Sequence, residues 1–132
     1  MAGYSGTPLP AKLGIVAGSS LILWSTPPEV YIDLPPAVTV KRQARGHADV
    51  VVAFFTRRAQ LEQRVAALGQ LVFPAGGLWI AWPKRSSGQA TDLTDHVVRA
   101  VALPLGLVDN KVCAIDATWT GLRLVWRTER RG

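Results

Sequence analysis

A chain of 132 residues, 48% of them hydrophobic and 18% charged, has the length of one domain and the composition of a packed core, which excludes a disordered segment. Its one cysteine, Cys113, excludes an intramolecular disulfide. The sequence has no leader-like start and no apolar run near the ~20 residues of a membrane helix, so we expect a single cytoplasmic domain. Fifteen Lys and Arg against nine Asp and Glu give a net charge of +6, but the excess is scattered, so nucleic-acid binding is allowed by the charge and not implied by it.

The first half of the chain predicts a surface arm at residues 1–10, a helical turn at 12–15 that a glycine closes, and three strands. The apolar runs 20–24 and 49–55 are continuous, which is typical of strands that are covered on both faces in a parallel sheet. The run 37–40 predicts an edge strand, because basic residues follow it at once and sheet edges tolerate charge.

The second half predicts two helices around a strand. Residues 56–72 carry apolar side chains at spacings of four, three and four, which form one face of a helix, and Thr56 is its predicted N-cap. Residues 78–82 predict a buried strand. A second helix follows as far as residue 105, with Thr91 or Asp92 as its cap.

The last third predicts an antiparallel hairpin of strands 111–116 and 122–127, because the link between them is too short for a parallel crossover. Residues 128–132 form a basic tail that we expect to be frayed. The fold class is therefore α/β, with about six strands in one sheet.

The order of these elements resembles a class I methyltransferase core from which one unit is deleted. Residues 71–80 are similar to the Pro-x-Gly-Gly turn that precedes a late strand in that family, and the terminal hairpin also matches. With right-handed crossovers, this resemblance implies an open, mostly parallel Rossmann-like sheet in the order 2-1-3-4-6-5, with strand six antiparallel.

One departure from that family bears on function. A methyltransferase or dinucleotide fold carries a Gly-rich turn after its first strand, which lets the backbone approach the cofactor. Here residues 24–28 contain no glycine and two prolines, and Lys41 and Arg42 stand where an acidic residue is expected after strand two. We therefore expect no functional site for S-adenosylmethionine or NAD, and no cofactor.

A second resemblance rests on residues 1–10, 81–84 and 101–116. These segments resemble a bacterial domain-of-unknown-function family, the one numbered three thousand and fifty-two, which is found mainly in high-GC Gram-positive bacteria. The resemblance covers nearly the whole chain. It implies a cytoplasmic single-domain protein and brings no established activity.

The candidate site is the loop after the strand at 78–82, because open α/β sheets place ligands at the C-terminal ends of their strands. Backbone amides at the start of the next helix and nearby cations are what a phosphate or carboxylate needs. The alternative is a solvated connection, and a carboxylate of Asp92 at the cap would occupy the place of an anion. The residues of this loop that we predict to bind are Lys84, Arg85, Ser86 and Ser87.

A second part of the candidate site is the hairpin turn that contains Thr118 and Trp119. If strand 111–116 runs parallel to strand 78–82, this turn emerges at the same sheet edge as the loop. We expect Trp119 to be exposed or half-exposed there, where a tryptophan can anchor an interface. Arg57, at the start of the first long helix, is predicted to lie nearby.

Other motifs argue against catalysis and metal binding. His47 and His96 lack the Cys, His or carboxylate neighbours of a metal site, so both are predicted to be surface residues. Trp79 and Trp82 are three apart on a strand and point to opposite faces, so they cannot form one stacking platform. Cys113 lies in an apolar run and is predicted to be a core residue.

These observations favour a small non-catalytic protein that binds a partner protein or a small anionic ligand at the C-terminal edge of its sheet. The alternative is a diverged methyltransferase or other group-transfer enzyme that uses the same edge, with Asp116 as the one convenient general base. A third alternative is a nucleic-acid-associated protein that acts by charge alone.

Overall fold

The computed structural model describes residues 6–131, so the first half of the predicted N-terminal arm and the last residue of the tail lie outside the described residues. The described chain forms one six-stranded sheet. The strands are β1 (Ser20–Trp24), β2 (Thr39–Lys41), β3 (Val50–Phe54), β4 (Gly77–Pro83), β5 (Leu107–Ala114) and β6 (Trp119–Trp126), and they lie in the order β2-β1-β3-β4-β6-β5. Strands β1 to β4 pair in parallel, whereas β6 is antiparallel to both β4 and β5. The predicted strand order and the antiparallel position of strand six are confirmed.

The strands lie close to the predicted ranges, because β1, β3 and β4 coincide with continuous apolar runs. The one clear shift is at the hairpin, where β5 begins four residues early and β6 begins three residues early.

The three α-helices are α1 (Leu9–Leu13), α2 (Arg58–Val72) and α3 (Asp95–Ala102). The predicted turn at residues 12–15 is the end of α1, which Gly14 closes with a φ of 83°. Short 3-10 helices follow β4 (Arg85–Ser87), α3 (Leu103–Leu105) and β6 (Thr128–Arg130). The predicted second helix is therefore shorter than expected, and it starts after a loop that runs to Thr94.

The sheet carries a hydrophobic core on each face. On one face, α2 and α3 pack against residues such as Val51, Ile80 and Trp82. On the other face, α1 and the segment before β2 pack against residues such as Phe54 and Trp79. The prediction that Trp79 and Trp82 point to opposite faces is confirmed.

Strand β3 is central, since all five of its residues are buried. Val51 is fully buried and Phe54 is 3% exposed, as the continuous apolar run predicted. Cys113 is also buried, which confirms its role as a core residue. A sheet that is covered on both faces leaves its strand ends and its outer strands as the places where a ligand can reach it.

Candidate functional site

The loop of residues 84–94, which we call the edge loop, leaves the C-terminal end of β4 and is tied to the hairpin at its first residue. The backbone N–H of Lys84 donates to the carbonyl oxygen of Thr118 over 2.7 Å. The Ser87 hydroxyl then donates to the Lys84 carbonyl over 2.7 Å and closes the 3-10 turn. The sequence prediction that Lys84 and Thr118 emerge side by side at one edge is confirmed.

The far end of the edge loop is tied to the start of α2. The Thr91 hydroxyl donates to the Thr56 carbonyl over 2.6 Å, and Asp92 Oδ1 accepts from the backbone N–H of Arg58 over 2.7 Å. Asp92 therefore caps α2 across 34 residues of sequence. Its predicted role as the cap of the following helix is wrong, as is the prediction that Thr56 caps α2.

Thr94 is the N-cap of α3, and its side-chain oxygen accepts from the backbone N–H of Val97 over 3.1 Å. The carboxylate of Asp92 consequently does not occupy the N-terminus of α3. The prediction that an Asp92 carboxylate occupies the place of an anion at this helix start is therefore wrong.

The predicted cations at this edge have side chains that face solvent. Arg57 is the N-cap residue of α2 and is exposed, Arg85 is exposed, and Lys84 is half-buried. Within the described residues, none of these three side chains makes an ion pair or a side-chain hydrogen bond. Of the predicted polar residues, Ser86 is exposed, and Ser87 and Thr118 are half-buried.

Trp119 does not join this surface, and the prediction that it is exposed is wrong. It is 3% exposed and packs edge-on against Phe54, with ring centroids 5.2 Å apart and planes at 82°. The reason is that β6 begins at Trp119 itself, so the side chain alternates into the core and not into the turn. Its indole nitrogen is buried without a hydrogen-bond partner in the described part of the chain.

A cleft of about 560 Å³, which we call the Arg85 cleft, lies between the edge loop, the start of α3 and the hairpin. Its apolar floor includes Trp82 and Leu93, and its polar rim includes Arg85, Gln89, Thr91, Thr94 and Asp95. A concavity that combines apolar surface with a few polar groups is the usual form of a small-molecule site. Sequence analysis missed Gln89, Thr94 and Asp95, because their convergence depends on how the edge loop folds back.

Among the described residues that line the Arg85 cleft, Asp95 alone carries a carboxylate, and an arginine offsets its charge. Asp95 Oδ2 accepts from Arg99 Nη1 over 3.0 Å, and Arg99 also donates from Nε to Asp109 Oδ2 over 2.9 Å. The hydrogen bond to Asp109 is the largest cause that raises the pKa of Arg99 above its ordinary value. The arginine therefore stays charged beside Asp95, which leaves Arg85 as the uncompensated charge on the rim.

The crevice at the topological switch point, between the C-terminal ends of β1 and β3, is small and partly filled. Trp24 packs against Phe55 with ring centroids 5.4 Å apart, and the Arg64 guanidinium lies 5.6 Å from the Trp24 ring centroid. The space that remains is about 200 Å³, below the ~300 Å³ at which ligand pockets begin. Pro27 and Pro28 follow without backbone N–H groups to donate to a phosphate or carboxylate.

These residues do not fit S-adenosylmethionine or NAD at the switch point. No glycine lies between Gly18 and Gly46, so every residue of the turn after β1 carries a Cβ. Ser25, in that turn, has a φ of 57°, a conformation for which glycine is the usual residue. Beyond β2 the chain presents Arg42 and no carboxylate for a ribose.

Asp116, the predicted base of an enzymatic alternative, holds the hairpin turn. Its Oδ1 accepts from the backbone N–H groups of Thr118 and Trp119, each over 2.8 Å. Burial raises the pKa of the Cys113 thiol, which disfavours the nucleophilic thiolate. Among residues 6–131, no group of three or more His, Cys, Asp and Glu side chains could hold a metal ion.

Comparison with known proteins bears on the fold. No family model matches the sequence, and no curated protein matches the sequence. The resemblance to the domain-of-unknown-function family therefore stays a prediction. Nor is any helix in the described part of the chain long and apolar enough to cross a membrane.

Solved structures that resemble this chain include methyltransferases and a protein in complex with SAM. A SAM-dependent methyltransferase from Aquifex aeolicus superposes with a TM-score of 0.56 at 11% identity, over 86% of this chain and 85% of the other. LepI in complex with SAM superposes with a TM-score of 0.58 at 11% identity, over 92% of this chain and 47% of the other. Magnesium protoporphyrin IX methyltransferase from Synechocystis, with bound SAH, superposes with a TM-score of 0.52 at 14% identity, over 69% of this chain and 51% of the other.

The chain therefore has the Rossmann-like α/β fold of SAM-dependent methyltransferases. It spans about half of the length of the magnesium protoporphyrin IX methyltransferase. At these identities the likeness concerns the fold, and function has to be argued from the site.

Proposed function

We propose that this chain is a non-catalytic binding domain that holds a small anionic ligand in the Arg85 cleft. The observation that carries the proposal is the contrast between two openings at one sheet edge. The switch-point crevice, where this fold is expected to take a cofactor, is reduced to about 200 Å³ by Trp24 and Arg64. The Arg85 cleft beside it is open and measures about 560 Å³.

The charges around the cleft favour an anion. Arg85 lies on its rim, and Lys84 and Arg57 lie at the same edge without acidic partners in the described chain. Thr94 and Asp95 at the rim also form the start of α3, whose first backbone N–H groups have no partner within the helix. A helix start beside a free guanidinium supports phosphate or carboxylate binding.

The apolar floor of the cleft favours a ligand that carries more than a charge. Leu93 is 3% exposed and Trp82 is 6% exposed, so each presents a small apolar surface to the cleft. A phosphate on a planar organic ring would place its charge at Arg85 and its ring on this floor. Adenosine monophosphate is therefore a better probe than inorganic phosphate.

Calorimetric titration of the full chain with adenosine monophosphate, inorganic phosphate and S-adenosylmethionine tests the proposal. We expect adenosine monophosphate to bind with a Kd of about 100 μM or tighter, inorganic phosphate to bind more weakly, and S-adenosylmethionine not to bind below millimolar concentration. Arg85→Ala should abolish the binding, whereas Arg42→Ala, which removes an exposed arginine outside the cleft, should not. No heat with either phosphate would contradict the proposal.

The second candidate is a diverged methyltransferase, and the fold likeness to SAM-dependent methyltransferases supports it. It requires the Trp24 and Arg64 side chains to leave the switch-point crevice when the cofactor binds. S-adenosylmethionine binding with a Kd of about 10 μM in the same titration would favour this candidate over the first.

A partner protein is the other occupant that this edge could take. Cross-linking from a cysteine placed at Ser86, an exposed residue of the edge loop, tests it directly. A specific adduct that Arg85→Ala abolishes, together with no heat of binding in the three calorimetric titrations, would assign the edge to a protein partner.

A further inference from the structure

A separate feature lies at the opposite, N-terminal edge of the sheet, where Arg123 is partly buried. Arg123 is on β6, directly opposite Trp79 of β4, and its neighbours Leu122 and Leu124 are fully buried. Burial lowers the pKa of Arg123 from its ordinary value, and the like charge of Arg131 lowers it further. A charged side chain in this position loses hydration and gains nothing from its positive neighbour.

Arg123 has no compensating partner in the described chain. The ion pairs there join Arg58 to Glu62, Arg99 to Asp95 and Asp109, and Arg127 to Glu129. The Arg123 guanidinium also makes no hydrogen bond to a described residue. A partly buried arginine is normally paired, because removal of water from an unpaired charge is unfavourable.

The strand beside Arg123 leaves room for the guanidinium. A Cβ at Gly77 would lie 2.8 Å from Arg123 Cζ, which is closer than real contacts allow, so a glycine at this position lets the side chain lie across β4. A Cβ at the preceding Gly76 would lie 2.7 Å from the Asp49 carbonyl oxygen. Gly77 therefore makes room for the Arg123 side chain, whereas Gly76 allows close approach of the Asp49 backbone.

Arg123 faces an open cavity of about 340 Å³, which we call the Arg123 cavity. Its polar lining includes Arg123, Asp49 and His47, with backbone from Gly14 and Gly76. Asp49 Oδ2 accepts from the Ser20 backbone N–H over 2.9 Å and from the Ser20 hydroxyl over 3.3 Å. Asp49 Oδ1 lies outside these bonds and remains an acceptor.

We propose that the Arg123 cavity binds the carboxylate of a small amino acid or hydroxy acid. The guanidinium matches a carboxylate through two parallel hydrogen bonds, and Asp49 accepts from an ammonium or hydroxyl group of the same molecule. Phosphate also suits a guanidinium, but a dianion is repelled more strongly by Asp49 than a carboxylate is. This site is independent of the Arg85 cleft, which lies at the other end of the strands.

Nitrogen-15 NMR titration of the full chain with L-alanine, acetate and inorganic phosphate tests this proposal. We expect saturable shifts at Arg123 and Asp49 with L-alanine, smaller shifts with acetate and the smallest with phosphate. Arg123→Gln should weaken L-alanine binding at least about tenfold. The matched control Arg127→Gln, at an exposed arginine one residue beyond the same strand, should leave it unchanged.

Two further variants keep the test decisive. Gly77→Ala displaces the guanidinium while it retains the charge, and we expect the same loss of binding. Arg123→Leu should raise the melting temperature, because it removes an unpaired, partly buried charge. The proposal is overturned if no probe saturates up to roughly 20 mM, if phosphate binds as well as L-alanine, or if Arg123→Gln binds L-alanine as the unaltered chain does.

Discussion

The backbone N–H of Lys84 donates to the carbonyl oxygen of Thr118 over 2.7 Å, one step beyond the pairing of β4 with β6. This bond extends the antiparallel ladder to the first residue of the edge loop. The loop is held again at its far end, where Thr91 and Asp92 bind the start of α2. Because both ends are fixed, Arg85 on the intervening turn has a defined position at the cleft.

The bond from Asp92 to α2 predicts a measurable contribution to stability. Asp92→Ala removes the acceptor for the Arg58 N–H and should lower the free energy of unfolding by about 1 kcal/mol, as expected for the loss of a helix cap. Urea denaturation measures this difference. The control is Glu29→Ala, at an exposed residue outside every helix and strand, which should change stability by less than about 0.5 kcal/mol. Equal effects of the two substitutions would contradict the cap.

This cap also illustrates what the sequence could not predict. A local pattern of polar residues before an apolar run placed the cap of a helix at residue 91 or 92, and Thr94 performs that function two or three positions later. The bond from Asp92 to Arg58 spans 34 residues and has no local signature. By contrast, the strand order was predictable, since handedness and loop length restrict how consecutive elements can connect.

The burial of Trp119 is a second feature that the sequence did not predict. In a strand the side-chain direction alternates, so a strand that begins at Trp119 sends this ring to the face of Phe54. The apolar run that starts at Leu122 suggested a later strand start. Gly121 lies within the observed strand, where a Cβ would lie 3.1 Å from Trp79 Cε3, so the glycine lets β6 pack closely against that ring.

The packing of Trp119 on Phe54 predicts that both residues stabilise the core. Each of Trp119→Ala and Phe54→Ala should lower the free energy of unfolding by roughly 3–5 kcal/mol through a cavity. The edge-on geometry adds a coupling of about 0.5–1.5 kcal/mol, which a double-mutant cycle in urea isolates. Val40→Ala, at a 37% exposed position on the edge strand β2, is the control. A loss below about 1 kcal/mol for Phe54→Ala would mean that β3 is not central.

Cys113 predicts a difference in thiol reactivity between the folded and unfolded chain. Burial raises the pKa of its thiol, so less thiolate is present at pH 8 in the folded protein than in the unfolded protein. Modification by a chromogenic disulfide reagent should therefore be at least about tenfold slower in buffer than in urea. Because the folded state holds the proton more tightly, this group contributes stability below the unfolded pKa, and the contribution is lost as pH rises through the folded pKa.

The edge loop predicts that binding and stability separate at Lys84 and Arg85. Lys84→Ala keeps the backbone bond to Thr118, and Arg85→Ala removes a side chain that pairs with no described residue, so each should leave the melting temperature within a few degrees. Arg85 lines the cleft, whereas Lys84 does not. We therefore expect Arg85→Ala to abolish binding of adenosine monophosphate and Lys84→Ala to weaken it about two- to fivefold, through the lost long-range attraction. Calorimetry at low and moderate salt distinguishes the two effects, because the Lys84 contribution should fall with ionic strength.

One set of results would contradict the anion site at this edge. In it, neither Lys84→Ala nor Arg85→Ala changes the binding of adenosine monophosphate, and Trp119→Ala lowers that binding only as far as it unfolds the protein.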